Sequence, residues 1–538
     1  SYKFAEPIIL TERMQNMNEV VVVGYGTQKK VNLTGAVSQV SGDDLKQRAT
    51  PNIITSLQGM LPGLNIQSNN GNPVDIPEIN VRGFNSINGG SPLVLVDGFQ
   101  GNINRINPAD VESITVLKDA ASSAIYGARG AFGVILITTK KGKQGKIEID
   151  YSNNFGFTRP ASRTDYITDP YTYGKTVDAA LYGYNGTNYT GYSDEDYERI
   201  KQVMNGTLEP FKEKQANNTY KFFYNTNWYD FLFRKTQFSQ NHNISVSGGT
   251  DKLQGYVSGR IFNTQSIQNI DDAEMKLVNL RGSVKAKPAE WLELSYNSMI
   301  STSKDQEFGG GRAGFGGLWT NTTWYYLFPF HPITVDGIPF DFSGSGAQGP
   351  LLERSNFYKR HTEQYVNMLS TKITPLKDLQ FNIDYSSTVN HAASSTRLNQ
   401  YTYLTGDRII STVGGVNRLT EARSRSYLKA LNVYGTYNYS LAKKHNFKLM
   451  LGYNQEEFND DVVNAAQNGL LATNLSNLNL GTEMYLADGQ AEVWAIQGYF
   501  GRFNYDFKNK YLLEVNARYD GSSKFPENSR WGFFPSVS

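Results

Sequence analysis

At 538 residues, with 39% hydrophobic and 19% charged side chains, the chain can bury a large core, and by length alone it would divide into several domains. Its 52 Lys and Arg balance 50 Asp and Glu, so nothing points to nucleic acid or to a polybasic membrane anchor. The lack of cysteine excludes disulfides and thiolate metal sites, and no apolar run approaches the roughly 18 residues of a membrane helix, so a bilayer could be crossed only by a closed β-barrel.

The 34 Tyr and 29 Phe beside 50 Gly favour strands and turns over helices. Residues 1–16 have no clear period and read as the remnant of a preceding segment. Met17, Asn18 and Glu19 then lead into Val20, Val21, Val22 and Val23, closed by Gly24 and Gly26. Such a run is either the first core strand of a domain or a strand that adds itself to the edge of a partner's sheet. Asn32 to Val40 alternates, and Asp43 and Asp44 open a polar stretch. Pro51 to Met60 is expected to be a short helix capped by Thr50. Leu61 to Asn70 returns as a strand, Val81, Arg82 and Gly83 end another, and Leu93 to Val96 runs into the turn Asp97, Gly98.

The stretch Asp110 to Gly142, DVESITVLKDAASSAIYGARGAFGVILITTKKG, predicts a strand-helix-strand unit. Ser113 to Leu117 alternates, Lys118 to Tyr126 (including Asp119) is small and helix-like, Gly127 and Gly130 break that helix around Arg129, and Gly133 to Thr139 fits a strand buried on both faces. Together these segments make a small mixed α/β domain over 27–142 with polar loops at its edges.

From Lys146 the pattern changes to strict alternation: Ile147, Ile149, Tyr151, Phe155 and Phe157 are apolar, and Glu148, Asp150, Ser152 and Asn154 are polar. The pattern recurs at Leu253 to Ile261, Leu379 to Val389, Tyr427 to Tyr439, Phe447 to Tyr453, Val493 to Phe507 and Tyr511 to Tyr519. Short turns, such as Pro375 to Asp378, Leu441 to His445 and Lys508 to Lys510, alternate with long connections, such as Arg159 to Thr236, Lys304 to Arg360 and His391 to Glu421. Short periplasmic turns and long external loops are the pattern of an outer-membrane barrel. About eleven complete strands are expected, with a last one, Trp531 to Ser538, that stops inside itself. The expectation is a fragment whose two open edges need further strands to close.

Three ordered segments, MNEVVVVGYG at Met17 to Gly26, VRGFNSINGGSPLVLVDGF at Val81 to Phe99, and Asp110 to Gly142, closely resemble SusC/RagA-type TonB-dependent transporters of Bacteroidetes. The resemblance implies an N-terminal mixed α/β plug in the lumen of a transmembrane antiparallel β-barrel. Such a barrel has about 22 strands when complete, of which roughly the first half would lie in 143–538. It further implies that 17–26 holds the TonB box and that Arg82, Gly83, Asp97, Gly98, Lys118, Asp119, Tyr126, Gly127, Arg129 and Gly130 are plug-motif positions. The implied setting is the outer membrane, with plug and N-terminus facing the periplasm. The implied partners are TonB with ExbB and ExbD, a SusD-like surface lipoprotein, an oligosaccharide or peptide cargo, membrane lipid, and a second transporter–lipoprotein pair. A plugged-barrel receptor or adhesin that does not import is the rival of a different class.

No catalytic constellation is present, and no cofactor is expected. Gly174, Lys175, Thr176 lacks the leading glycine of a phosphate loop, since position 169 is Asp. His242, His331, His361, His391 and His445 have no metal-ligand spacing. Asp194, Glu195 and Asp196, like Asp271 and Asp272, lack the alternating ligands of a calcium loop and read as solvated loop charge. What remains is binding. Aromatic and amide residues crowd two connections: Tyr182, Tyr184, Asn185, Asn188, Tyr189 and Tyr192 in one, Trp319, Asn321, Trp324, Tyr325 and Tyr326 in the other. They suit stacking on and hydrogen-bonding to sugar, or else pack loop against loop. Asn69, Asn70, Asn85 and Asn88 in plug loops either meet cargo or serve as turn residues.

Overall fold

The fold is that of a computed structural model, which describes residues 20–22, 24–29, 35–46, 48, 52–67, 77–83, 90–159, 167–217, 220–267, 269, 274–308, 327–340, 356–405, 408–413, 417–442, 444–508 and 510–538. The four-valine run supplies β1 (Val20–Val22), which folds back on β2 (Thr27–Lys29). The plug follows with β3 (Val37–Ser41), α1 (Gly42–Lys46), α2 (Ile53–Leu57), β4 (Leu64–Gln67) and β5 (Glu78–Val81). It is completed by β6 (Leu93–Val96), β7 (Phe99–Gln100), β8 (Val111–Leu117), α3 (Ala120–Ser123) and β9 (Val134–Thr139).

Five of these strands form one sheet in the order β3-β8-β9-β6-β7, with only the β6/β9 pair parallel. The apolar run of β9 is therefore central, as an unbroken Val-Ile-Leu-Ile stretch requires. Helices α1 and α2 cover it through Leu45, Ile53, Ile54 and Leu57, each 1% exposed or less. The cap of α2 differs from the expectation. Asn52, with extended backbone, accepts from Ile54 N at 2.8 Å, so the helix starts two residues later than Thr50 and Pro51 suggested. The expected polar stretch at Asp43 and Asp44 is the first turn of α1, where Asp44 accepts from the Ser41 hydroxyl at 2.7 Å while its own N–H donates back to that hydroxyl at 3.2 Å, and Asp43 pairs with Lys46.

Beyond the plug lies an open sheet of twelve strands, each paired antiparallel to the next in chain order. Its first members are β10 (Gly145–Thr158), β13 (Gln237–Gly249), β14 (Leu253–Gln265), β15 (Glu274–Ala289) and β16 (Leu292–Phe308). The sheet continues with β19 (Phe357–Leu376), β20 (Leu379–Leu398), β23 (Arg418–Leu441), β24 (His445–Asn468), β25 (Glu483–Phe507), β26 (Tyr511–Ser522) and β27 (Trp531–Val537). Along each strand one face is outward and apolar, as at Val257 and Ile261 of β14, and the other inward and polar, as at Ser258 and Arg260.

Several strands run well past their expected ends. β20 continues from Val389 to Leu398, and β24 from Tyr453 to Asn468. Pairing continues there while apolar and polar residues cease to alternate, as at Ser394 and Ser395 or Val462 and Val463, so the signal that reveals a strand in sequence disappears before the strand does.

The connection after β10 holds a small module of its own: α4 (Pro170–Asn185), α5 (Asp194–Met204), the hairpin β11 (Phe211–Lys214) and β12 (Tyr220–Phe223), and α6 (Trp228–Leu232). The later connections add the short pairs β17 (Thr334–Val335) with β18 (Ile338–Pro339), and β21 (Tyr401–Thr405) with β22 (Arg408–Val413). Gly174, Lys175 and Thr176 lie inside α4. Asp194 to Asp196 open α5, where Ser193 and Asp196 form a reciprocal capping box and Asp196 also meets Lys221 Nζ at 2.5 Å, so Asp196 is helix-capping and ion-paired rather than solvated. Tyr192 is buried in this module, whereas Tyr182, Tyr184 and Tyr189 are exposed.

His331, from the connection between β16 and β19, is buried against this module, ringed by Phe222, Phe328, Phe330 and Phe340 at centroid distances of 4.9 to 5.7 Å. Burial lowers its pKa to about 3. The unfolded imidazole, with its pKa near 6.5, takes up a proton that the folded one refuses until about pH 3, so the contribution is intact above pH 6.5 and shrinks as pH falls. At pH 5 the loss is expected to be about 2 kcal/mol. Limited proteolysis of this module should be markedly faster at pH 5 than at pH 7.5, and the difference should flatten in His331→Phe.

Candidate coupling segment and plug–wall site

The residues after β1 are held against the wall by a turn that few sequences can make. Gly24 (φ 34°) and Tyr25 (φ 46°) are successive left-handed residues, which lets β2 return along β1 with Val20 opposite Lys29, Val21 opposite Gln28 and Val22 opposite Thr27. Positive φ is costly for a tyrosine, and its surroundings account for it. The Tyr25 ring stacks on Phe500 of β25 at 4.1 Å and 17°, stands edge-on to Tyr434 of β23 at 5.7 Å, and lies 5.9 Å from Tyr126 of the plug. Two inward arginines complete the grip: Arg502 Nη1 donates to the Gly24 carbonyl at 3.4 Å, and Arg518 Nη1 donates to the Tyr25 hydroxyl at 3.3 Å. Met17, Asn18, Glu19 and Val23 lie outside the described residues.

The plug-motif residues divide into two groups. Arg82, Gly83, Gly98, Lys118, Asp119 and Gly130 shape the plug itself. Arg82 and Gly83 both have positive φ where the chain leaves β5, and Asp97 with Gly98 makes the two-residue turn from β6 to β7. Burial opposes the charge of Asp119, but hydrogen bonds from Ala36 N–H and from the Ser122 hydroxyl and N–H outweigh it, so its carboxyl lies below the usual range and stays ionised. Lys118 reaches the Ser38 hydroxyl, and burial, then the charge of Arg82, lowers its pKa.

Asp97, Tyr126, Gly127 and Arg129 meet the wall. The Asp97 carboxylate accepts from Thr139 N (3.0 Å), Thr139 Oγ1 (2.5 Å) and Asn297 Nδ2 of β16 (2.9 Å). Arg281 of β15 donates to the same Thr139 hydroxyl at 2.6 Å, and Tyr256 of β14 donates to Asp110 at 2.8 Å. Arg129 pairs with Glu456 of β24. Burial, then the neighbouring Tyr25, raises the Tyr126 pKa far above the usual phenol value, so it stays neutral.

Gly127 has φ 60° and ψ −144°, and a Cβ there would stand 2.0 Å from Asp520 Oδ2 of β26. Gly127→Ala is expected to cost roughly 1–3 kcal/mol in backbone strain alone, before the clash is relieved. The check is the thermal release of the plug, read as its protease sensitivity in detergent.

The seat is not purely polar, although a polar plug in a polar lumen was the expectation. Leu93, Leu95, Ile125 and Leu136 pack with Met450 and Phe500 of the wall, and Phe99 packs with Val366, Met368 and Ala430. Between plug and wall a cavity of about 400 Å³ remains, lined among others by Phe99, Arg105, Gln364, Asn390, Ser426 and Phe458. Gln364, Asn390 and Ser426 form a hydrogen-bonded row along it at 2.8 and 3.1 Å.

Asn69, Asn70, Asn85, Asn88, Trp319, Trp324 and Tyr325 lie outside the described residues. Among the described residues no group of three or more His, Asp or Glu is gathered to hold a metal. Sequence reasoning missed Tyr25, Tyr434, Phe500, Arg502, Arg518 and the luminal amide row. The available signal was parity, since Arg502 and Arg518 occupy inward positions on strands whose outward positions are aromatic or apolar.

A model of the TonB-dependent Receptor Plug Domain matches residues 29–134. TonB-dependent receptor SusC of Bacteroides thetaiotaomicron is 26% identical over 99% of this chain and 51% of its own length. TonB-dependent receptor P26 of Formosa agariphila is 27% identical over 98% of this chain and 51% of its own. Among solved structures, the RagAB peptide importer in an open-open state superposes with a TM-score of 0.76 at 25% identity, covering 96% of this chain and 58% of that one. The ferric citrate transporter FecA, at 12% identity and TM-score 0.55 over 94% of this chain and 60% of its own, shares the fold. The chain spans about half the length of the curated relatives it matches.

Proposed function

We propose, from the premise that this chain is of the SusC/RagA type of TonB-dependent receptors, that it actively imports a large nutrient across the outer membrane. Residues 17–26 are the handle pulled by TonB, energised through ExbB and ExbD; 27–142 are the plug; 143–538 contribute barrel wall and external connections. Cargo is captured outside with a SusD-like surface lipoprotein, and two such pairs can associate. The observation that carries this reading is the short strand β1, whose following residues Gly24 and Tyr25 are clamped between plug and wall by Phe500, Arg502 and Arg518. Force on β1 would reach Tyr126 and Arg518 first, at the seam where the plug must part from the wall.

The cargo we favour is an oligosaccharide. Phe99 and Phe458 line the luminal cavity beside the amides of Gln364 and Asn390, a mixed aromatic and amide lining suited to hydroxyl-rich rings. Peptide is the second reading, favoured by the likeness to the RagAB peptide importer. The test is growth and uptake by a strain lacking this gene on a panel of oligosaccharides and peptides, with the gene restored as control. Failure on one glycan class supports import and names the cargo, and failure on peptides selects the second reading. Normal growth on all, with surface binding retained, overturns import in favour of a receptor or adhesin.

A further inference from the structure

The outward face of the sheet carries a row of like charge that transport leaves without a role. From the short-turn end, the outward positions of β15 are Val284, Leu280 and Val278, those of β16 include Tyr296 and Ile300, and those of β19 include Leu369 and Tyr365. Above this apolar and aromatic field the same faces become basic. The register sets Lys276 opposite Lys304, Lys304 opposite His361, His361 opposite Ala393, and Ala393 opposite Arg423. Residues directly opposite in an antiparallel pair hold their Cβ atoms about 4.5–5.5 Å apart, so the like charges of Lys276 and Lys304 repel there.

Neighbouring carboxylates offset part of this. Glu274 meets Lys276 at 2.8 Å, Glu363 meets His361 at 3.5 Å and Glu421 meets Arg423 at 2.8 Å. Lys304, exposed in the middle of the row, makes no ion pair among the described residues. Lys359 lies one step higher on β19, and the side chain of Ala393 is too short to fill the gap between His361 and Arg423. The result is a recess of about 350 Å³ lined by Lys276, Lys304, Lys359, Arg360 and Arg423 together with Glu274, Asp305 and Glu421, of which Glu274, Asp305 and Glu421 are already paired to Lys276, Arg360 and Arg423.

We infer that this row binds the phosphate of a phosphorylated lipid headgroup in the outer leaflet, centred on Lys276 and Lys304. The inference rests on the reading of this sheet as a membrane wall with its long connections outside. Two features select a lipid over a free anion: the basic row follows directly on an apolar face that can hold acyl chains, and Tyr365, two outward positions below His361, turns its hydroxyl up to Glu363 at 3.0 Å as an interfacial side chain would. A phosphate between two opposed lysines turns their repulsion into two charge-assisted contacts.

The test is native mass spectrometry of the protein purified from outer membranes, titrated in detergent with monophosphoryl lipid A, its dephosphorylated counterpart, or inorganic phosphate. The unaltered protein should retain the phosphorylated lipid, and Lys276→Gln/Lys304→Gln should weaken that retention roughly 10- to 30-fold. The dephosphorylated lipid should bind the unaltered protein no better than the phosphorylated lipid binds the variant. Equal retention by variant and unaltered protein overturns the proposal, as does inorganic phosphate competing as well as the lipid, or a second protein rather than lipid found on this face by cross-linking. Density fractionation separates the two levels of failure. A protein absent from the outer membrane sinks the membrane-wall reading, whereas one that is present there with unchanged lipid retention sinks only this site.

Discussion

Replacing Arg518 with methionine is expected to free the turn at Gly24 and Tyr25 from the wall while the barrel strands stay paired. The Arg518 side chain is fully buried, and it donates to Ile125 O at 3.0 Å, Tyr25 Oη at 3.3 Å, Asn454 Oδ1 at 3.2 Å and Asp520 Oδ1 at 2.6 Å. One guanidinium therefore joins the coupling turn, the plug and two wall strands. Methionine fills much of the volume but leaves the Asp520 carboxylate, 16% exposed, without its cation, and the Ile125 carbonyl without that donor. Removing one partner of a buried pair costs about 3–5 kcal/mol. If most of that falls on the seated state, the ratio of latched to released segment drops by roughly 100-fold or more.

The measurement is protease cleavage within residues 24–29 of the protein in detergent, with heat-modifiable migration of the barrel as the control for folding. Tyr25→Phe should shift cleavage little, since it keeps the Phe500 stack and loses one hydrogen bond worth about 1 kcal/mol. Tyr25→Ala should approach the Arg518 variant. Cleavage unchanged in both Arg518→Met and Tyr25→Ala would mean that this turn does not hold the segment.

How much of this was legible beforehand depended on how far each signal reached along the chain. The wall from β10 to β26 could be read because its apolar-out, polar-in requirement writes a period of two into every strand, and the turns between them are local. Its upper ends could not be read, because Ser394 and Ser395 of β20 or Asn464 and Ala465 of β24 meet no apolar medium to alternate against. The α5 helix was legible in its capping pair Ser193 and Asp196, but the acidic run was weighed as a metal loop or as loose charge. The seat of the coupling segment lay beyond any local reading: Tyr25 and Arg518 are 493 positions apart, and Gly24 and Arg502 478. Sequence placed the motif residues Tyr126, Gly127 and Arg129 next to one another, but that all three abut the wall follows only from the fold around Glu456 and Asp520.

The substitution pair Val21→Pro and Val22→Pro is expected to reduce uptake to the background of a strain without TonB, while cargo binding at the surface and barrel assembly are kept. Successive residues of a strand direct their N–H groups to opposite edges, so adjacent prolines remove one ladder donor from each edge of β1. One edge already pairs with β2 through Val21 opposite Gln28 and Val22 opposite Thr27, and the other is the edge on which a partner strand would add. In a strand this short, Val20 to Val22, only the Val20 N–H is then left, on the edge it shares with Val22. The control separates the two edges. Gln28→Pro disturbs the internal hairpin but leaves β1 whole, and uptake should be retained or raised, because the pull no longer competes with β2. If the Val21 and Val22 prolines leave uptake at its normal rate, β1 is not the handle; if Gln28→Pro alone abolishes uptake, the intact hairpin, rather than the free strand, is the part that TonB engages.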